Sequence, residues 1–135
     1  MPSTKIALRQ REEPRASWDL RSELLFCGLP TGKWILGYVL DAWYPCAGSH
    51  LIVTSWDCGD DSLSVTLTDG EFNTLDEKSI GAMYDTTLLE SHEALSDTQV
   101  LLRCDNNFLI RVTIDGRSLR LHQRWGELTE FVPYP

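Results

Sequence analysis

The chain has 135 residues, of which 42% are hydrophobic, and a formal net charge of -8, so it holds enough apolar material for one core. Its charge opposes binding to nucleic acid and to anionic lipid, and neither is expected as a partner. The longest strongly apolar run, residues 34–40, is much shorter than the roughly 20 residues that cross a bilayer. Since the first twenty residues contain no apolar signal segment, the sequence predicts a single-domain cytoplasmic protein.

The acidic residues are concentrated in the middle of the chain. Residues 41–100 carry twelve acidic side chains and one basic side chain, whereas the two flanks are slightly basic. A bipolar surface is therefore expected. The four cysteines occur at no C-x-x-C spacing, which favours reduced thiols that pack as small apolar groups. Cys58 and Cys104 are the pair to test for a disulfide, because they occupy matching places in two similar segments.

The first third of the chain is expected to form a polar arm followed by mixed structure. Residues 1–16 are predicted as a polar arm or an edge strand, with "KIALRQ" as the strand. In "SWDLRSELLF", Ser17 could cap a short helix, although the alternation of side chains supports a strand nearly as well. "KWILGYVLDAWY" has the aromatic and branched content of a strand, which "PCAGS" ends.

The strongest strand pattern lies in residues 50–69. "HLIVTSWD" and "SLSVTLTD" are predicted to form an antiparallel pair around "CGDD". In the second strand, Leu63, Val65 and Leu67 alternate with small hydroxyl residues, which is typical of a strand with one face in water.

Two short helices are predicted after this strand pair. Thr74 with Glu77, and Thr87 with Glu90, fit the capping box at the start of a helix. The expected helices cover residues 75–84 and 88–95.

The end of the chain returns to strands. "TQVLLRC", "FLIRVTI" and "RSLRLHQRW" are predicted strands, and Asp115-Gly116 is a strong signal for a two-residue hairpin turn. That turn would place Arg111 opposite Arg120 and Ile110 opposite Leu121.

Residues 63–70 and 109–116 have similar sequences, "LSVTLTDG" and "LIRVTIDG", separated by 46 positions. Duplication of a unit would produce this echo. The flanking segments do not correspond, however, so the shared residue preferences of β-hairpins explain it better.

The main candidate site is a set of basic residues on the last three strands. Like charges directly opposite on neighbouring strands repel, so Arg111 beside Arg120 needs either neutralising carboxylates, such as Glu90, Glu93 or Asp97, or an anionic partner. Arginine can bind carboxylate or phosphate with two parallel hydrogen bonds. The predicted docking residues are Arg103, Arg111, Arg120, His122 and Arg124. Trp43 and Tyr44, at a strand end, are added as an aromatic contact.

Signals for catalysis or for a bound cofactor are weak. "DCGDD" lacks the residue order of a calcium loop, and "GLPTGK" lacks the spacing of a phosphate-binding loop. His50, His92 and His122 could activate a thiol, but none lies in a recognisable catalytic motif. No cofactor or metal is predicted, and a non-catalytic protein is favoured over an enzyme.

These observations lead to one prediction for the fold and two for the function. The fold is predicted as α+β, mainly an antiparallel sheet in a sandwich or half-barrel, with a two-helix insertion between strand groups. The function is predicted as a small intracellular protein-binding module, an inhibitor or accessory subunit, with a basic sheet face and an acidic helical flank. The alternative is a small-molecule binder or enzyme with a pocket between the sheet and the helix pair. A homodimer is compatible with either function.

Overall fold

The computed structural model describes residues 5–9, 21–46, 48–55, 63–80, 88–127 and 129–134. Within these ranges the chain forms three antiparallel sheets, each of which follows the order of the sequence or its exact reverse. The N-terminal sheet comprises β1 (Ile6–Arg9), β2 (Arg21–Phe26) and β3 (Leu29–Leu36). The middle sheet comprises β4 (Val39–Cys46), β5 (Ser49–Ser55), β6 (Leu63–Asp69) and β7 (Thr74–Ile80). The C-terminal sheet comprises β8 (Leu89–Ala94), β9 (Gln99–Cys104), β10 (Phe108–Asp115), β11 (Ser118–Trp125) and β12 (Val132–Pro133).

The middle sheet is covered on both faces. On one face Leu51, Val53 and Val65 pack with residues of the C-terminal sheet such as Ile110. On the other face Ile52 joins a smaller cluster with residues of the N-terminal sheet, namely Ile6, Leu24 and Ile35. The described residues therefore form two cores, one on each side of the middle sheet.

This double coverage overturns the expectation that β6 has one face in water. The pairing of β5 with β6 is confirmed, but residues 63–68 are all buried. Ser64, Thr66 and Thr68 lie on the same side of the sheet as Ile52, toward the N-terminal sheet, and each is 0% exposed. Small hydroxyl side chains therefore line an interior surface.

The predicted helical insertion is wrong, and the fold is not α+β. Thr74–Ile80 is a strand paired with β6, and Leu89–Ala94 is a strand paired with β9. Among the described residues the helical structure is a single 3-10 turn at Asp105–Asn107. Short isolated helices are marginal in water, and strand pairing satisfies the same backbone groups within a sheet. Residues 81–87, which include the second predicted cap, lie outside the described ranges.

Two predictions in the first half of the chain also need correction. The described part of the segment predicted as a helix after Ser17 is β2, a strand. The predicted strand at residues 33–44 is two strands, because the chain leaves the N-terminal sheet at Gly37 and enters the middle sheet. Gly37 has a φ of 112°, and a Cβ at this position would overlap the side chain of Thr54. A larger residue would therefore strain this crossing.

The last hairpin forms with a register that differs by two residues from the predicted one. Asp115 pairs with Ser118, so the two turn residues are Gly116 and Arg117. Gly116 has a φ of 66°, which suits glycine at the first central position of a type II′ turn. Because a shift of two residues preserves the alternation of side chains, the predicted faces of β10 and β11 are retained.

Candidate partner-binding face of the C-terminal sheet

Five basic residues lie on the face of the C-terminal sheet that points away from the middle sheet. The register places Arg103 beside Leu109, Leu109 beside Arg124, and Arg111 beside His122, and directly paired residues share a face. Arg120 pairs with Thr113 on the same face. We call this surface the basic face, defined by Arg103, Arg111, Arg120, His122 and Arg124. Arg111 is diagonal to Arg120 rather than directly opposite it, so their repulsion is smaller than predicted.

An aromatic ring stands among these arginines. The guanidinium carbon of Arg111 lies 4.7 Å from the centroid of the Phe131 ring, and that of Arg124 lies 5.4 Å from it. Both distances are within the range of cation–π attraction. The Phe131 ring, which is partly buried, therefore holds two guanidinium groups of like charge near each other. Sequence reasoning missed Phe131, although an aromatic residue shortly after a basic strand was an available signal.

The two outer arginines of the basic face are paired with carboxylates. Arg103 contacts Glu93 at 2.9 Å, which fulfils part of the neutralisation expected from the acidic middle of the chain. Arg120 contacts Asp115 at 2.8 Å, and its side chain is 67% exposed. Exposed ion pairs contribute only about 0–1 kcal/mol. A partner carboxylate could therefore replace Glu93 or Asp115 at small cost.

Arg111 differs from these two arginines. Among the described residues it makes no ion pair, and its Nε atom is buried without a hydrogen-bond partner. Its charge is stabilised by the face of the Phe131 ring instead. A buried donor without a hydrogen-bond partner costs free energy, so Arg111 is held in this position by packing against the Phe131 ring rather than by a hydrogen bond of Nε.

The structure does not bring Trp43 and Tyr44 to the basic face. Trp43 packs with the small core beneath the N-terminal sheet, and its Nε1 donates to His50 Nδ1 at 3.0 Å. Tyr44 packs against the larger core, and its hydroxyl forms a hydrogen bond with Nδ1 of His92 across the gap between β4 and β8. Both aromatic residues already have partners within the chain.

His50 occupies a closed aromatic stack. Its ring is stacked on Phe72 with centroids 4.3 Å apart and on Trp43 at 5.8 Å. Burial lowers the pKa of His50, opposed by a hydrogen bond to the backbone of Gly70 and by the charge of Asp69. Since Nδ1 accepts from Trp43, the neutral imidazole fits this environment.

Two of the cysteines are unsuited to nucleophilic chemistry. Cys104 is a free thiol, 3% exposed, and burial, with the nearby Asp105 and Glu90, raises its pKa to about 12. Burial and the charge of Asp97 also raise the pKa of Cys46. Because the thiolate is the reactive form, neither is an activated nucleophile. Cys58 lies outside the described residues.

A cavity opens where β7 of the middle sheet approaches β11 of the C-terminal sheet. We call this line of approach the seam. The cavity at the seam has a volume of about 410 Å³ and is lined by residues that include Lys78, Arg120 and His122. A pocket between a sheet and a helix pair, which the alternative function required, has no counterpart in the described ranges, since that helix pair is absent from them.

Searches for similar proteins and for possible metal or membrane sites add little. No protein-family model, curated protein or solved structure matches the chain. Within the residues that the structure describes, no group of three or more His, Cys, Asp or Glu side chains could hold a metal ion. In the same residues, no helix is both long and apolar enough to cross a membrane. The geometry of the surface is therefore the basis for the proposed function.

Proposed function

We propose that the chain is a non-catalytic protein-binding module, of the inhibitor or accessory-subunit type, whose basic face docks an acidic segment of a partner protein. The observation that carries this proposal is the cluster of Arg111 and Arg124 on Phe131. It provides a rigid aromatic ring flanked by two guanidinium groups, a combination enriched at the centres of protein interfaces.

Charge complementarity supports an acidic partner. The protein has a net charge of -8, yet the strand register of the described residues places four arginines and two carboxylates, Glu93 and Asp115, on the basic face. A face of opposite sign to the whole molecule orients an acidic partner during encounter and adds specificity. The acidic helical flank is not part of this proposal, because the residues predicted to form it belong to strands or lie outside the described ranges.

A charge reversal at Arg111 tests this function. Arg111→Glu should abolish the capture of the binding partner in a quantitative pull-down from host lysate and weaken binding of an acidic oligoglutamate peptide in calorimetry. Arg117→Glu is the matched control, because Arg117 lies in the exposed hairpin turn and undergoes the same change in charge. Binding should also weaken as salt is raised.

Two results would count against the proposal. Equal capture by the Arg111→Glu and Arg117→Glu variants would show that the basic face does not bind the partner. If Arg111→Glu unfolds the chain, Arg103→Glu provides the test at an exposed position that does not line the seam cavity. Light scattering of the purified protein should give a monomer mass, whereas a homodimer that Arg111→Glu dissociates would place a second copy on this face instead.

A further inference from the structure

The seam pocket gathers positive charge from two different sheets. Lys78 pairs in register with Val65, which lies in the core between the middle and C-terminal sheets, so Lys78 is on the face of β7 turned toward the C-terminal sheet. Arg120 and His122, which belong to the basic face, line the same pocket at the edge of β11. Basic residues from two segments distant in sequence, one on β7 and one on β11, therefore border one cavity.

The nearby carboxylates are occupied by other donors. Asp76 lies two residues before Lys78. Its Oδ2 accepts a hydrogen bond from the backbone N–H of Leu119 at 2.7 Å, and its Oδ1 accepts one from the backbone N–H of Glu77 at 2.9 Å. Asp115 is bound to Arg120 in an exposed ion pair, which an anion with stronger charge can displace. Nδ1 of His122 is buried and has no hydrogen-bond partner among the described residues.

These features select a ligand class. Arginine binds phosphate through two parallel hydrogen bonds, and lysine adds a point charge. The volume of about 410 Å³ falls in the range of small-molecule sites, roughly 300–1,000 Å³, and exceeds what a bare phosphate needs. Leu121, Pro133 and Tyr134 supply an apolar wall for the rest of the ligand. We propose that the seam pocket binds a phosphate monoester with an apolar or aromatic body.

This site is separable from the proposed function. Lys78 belongs to the middle sheet and lies outside the basic face, whereas Arg111 does not line the seam pocket. A Lys78 variant can therefore lose phosphate binding while it keeps a protein partner, and the Arg111→Glu variant can do the reverse. The failure of one proposal leaves the other standing.

The experiment is an NMR titration of the full chain with phenyl phosphate and inorganic phosphate, with sulfate as a comparison. Saturable amide shifts should be confined to residues 76–80, 118–122 and 133–134. Lys78→Gln should weaken phenyl phosphate by about tenfold, because one charge-assisted contact is lost, and Lys78→Arg should restore most of the affinity. Lys33→Gln is the matched control, since Lys33 contacts Asn73 elsewhere in the molecule.

The outcomes separate the sources of the phosphate group. Tighter binding of a phosphotyrosine peptide than of phenyl phosphate indicates a phosphorylated protein, and equal binding indicates a free phosphorylated metabolite; both support the site. Shifts that do not saturate, or that spread over all arginines, overturn it. So does equal affinity in the Lys78→Gln and Lys33→Gln variants. Lys78 is exposed, so Lys78→Gln should fold as the parent protein does, and an unchanged urea midpoint checks this.

Discussion

The hydroxyl residues buried beneath the N-terminal sheet allow a sharp test of the three-sheet fold. Thr54 and Thr66 lie on the same face of the middle sheet and are both 0% exposed. The hydroxyl of Thr54 donates to the carbonyl of Leu36 at 2.7 Å, whereas the hydroxyl of Thr66 has no partner in the described part of the chain. Replacement by valine, which has the same shape, should therefore have opposite effects at the two positions.

The expected magnitudes follow from the state of each hydroxyl. Thr66→Val removes a buried polar atom that makes no hydrogen bond, and should raise the free energy of unfolding by about 1 kcal/mol. Thr54→Val removes a hydrogen bond and leaves the carbonyl of Leu36 without its donor, and should lower the free energy by about 1–2 kcal/mol. The two variants should thus differ by about 2–3 kcal/mol.

Equilibrium unfolding in urea measures this difference. With a slope of about 2 kcal/mol per molar urea, the two midpoints should lie about 1–1.5 M apart, with the parent protein between them. If this face of the middle sheet were in water, each change would stay within about 0.5 kcal/mol and the two variants would be alike. That result would refute the burial of this face beneath the N-terminal sheet.

Two further predictions concern ionisable groups. The folded-state pKa of His50 is lowered from 6.5, so the contribution of His50 to stability is complete above that value and is lost as pH falls through the folded pKa. His50→Gln should therefore reduce the fall in the urea midpoint between about pH 7 and about pH 5. An unchanged fall in the midpoint would contradict this. Iodoacetamide should label the exposed Cys27 in the native protein but the buried Cys104 only after unfolding. Peptide mass spectrometry measures the labelling, and equal labelling of the two cysteines in the native protein would contradict the burial of Cys104.

The alternation in β6 predicted a strand but not what covers its second face. Leu63, Val65 and Leu67 mark the larger core correctly. The hydroxyl residues between them indicated water because serine and threonine are usually exposed. Their cover is a sheet formed by residues before position 37, and a period of two within one strand carries no information about so distant a contact.

The false helices arose from local rules that a long-range contact overrides. Thr74 and Glu77 have the spacing of a capping box, but Glu77 instead pairs with Arg21 at 3.1 Å, 56 residues away in sequence. Hydroxyl and carboxylate side chains are also compatible with a strand when other parts of the chain supply their partners. The neighbouring strand β6, rather than the spacing of caps, decides the backbone conformation here.

The basic residues of the candidate site could be grouped from the sequence because side-chain alternation survives a register error of two residues. The direct partner of Arg111 could not be predicted, since a one-position difference in the hairpin turn changes it from Arg120 to His122. The role of Phe131 depends on how the chain returns after β11, which no local pattern specifies. Trp43 and Tyr44 were grouped by adjacency, although neighbouring residues on a strand point to opposite faces.

The hydrogen bond from the backbone N–H of Leu119 to Asp76 also affects how easily β7 and β11 can separate locally. A carboxylate, rather than a backbone carbonyl, meets that amide, so β7 and β11 approach each other without forming a ladder. Loss of this charge-assisted hydrogen bond alone costs about 1.5–3 kcal/mol, and separation of the strands there would also expose Ile80 and Leu119 of the larger core. Each sheet would keep its own strand pairing throughout. At this side, the two sheets that enclose the larger core are therefore joined by a side-chain hydrogen bond instead of a continuous backbone ladder.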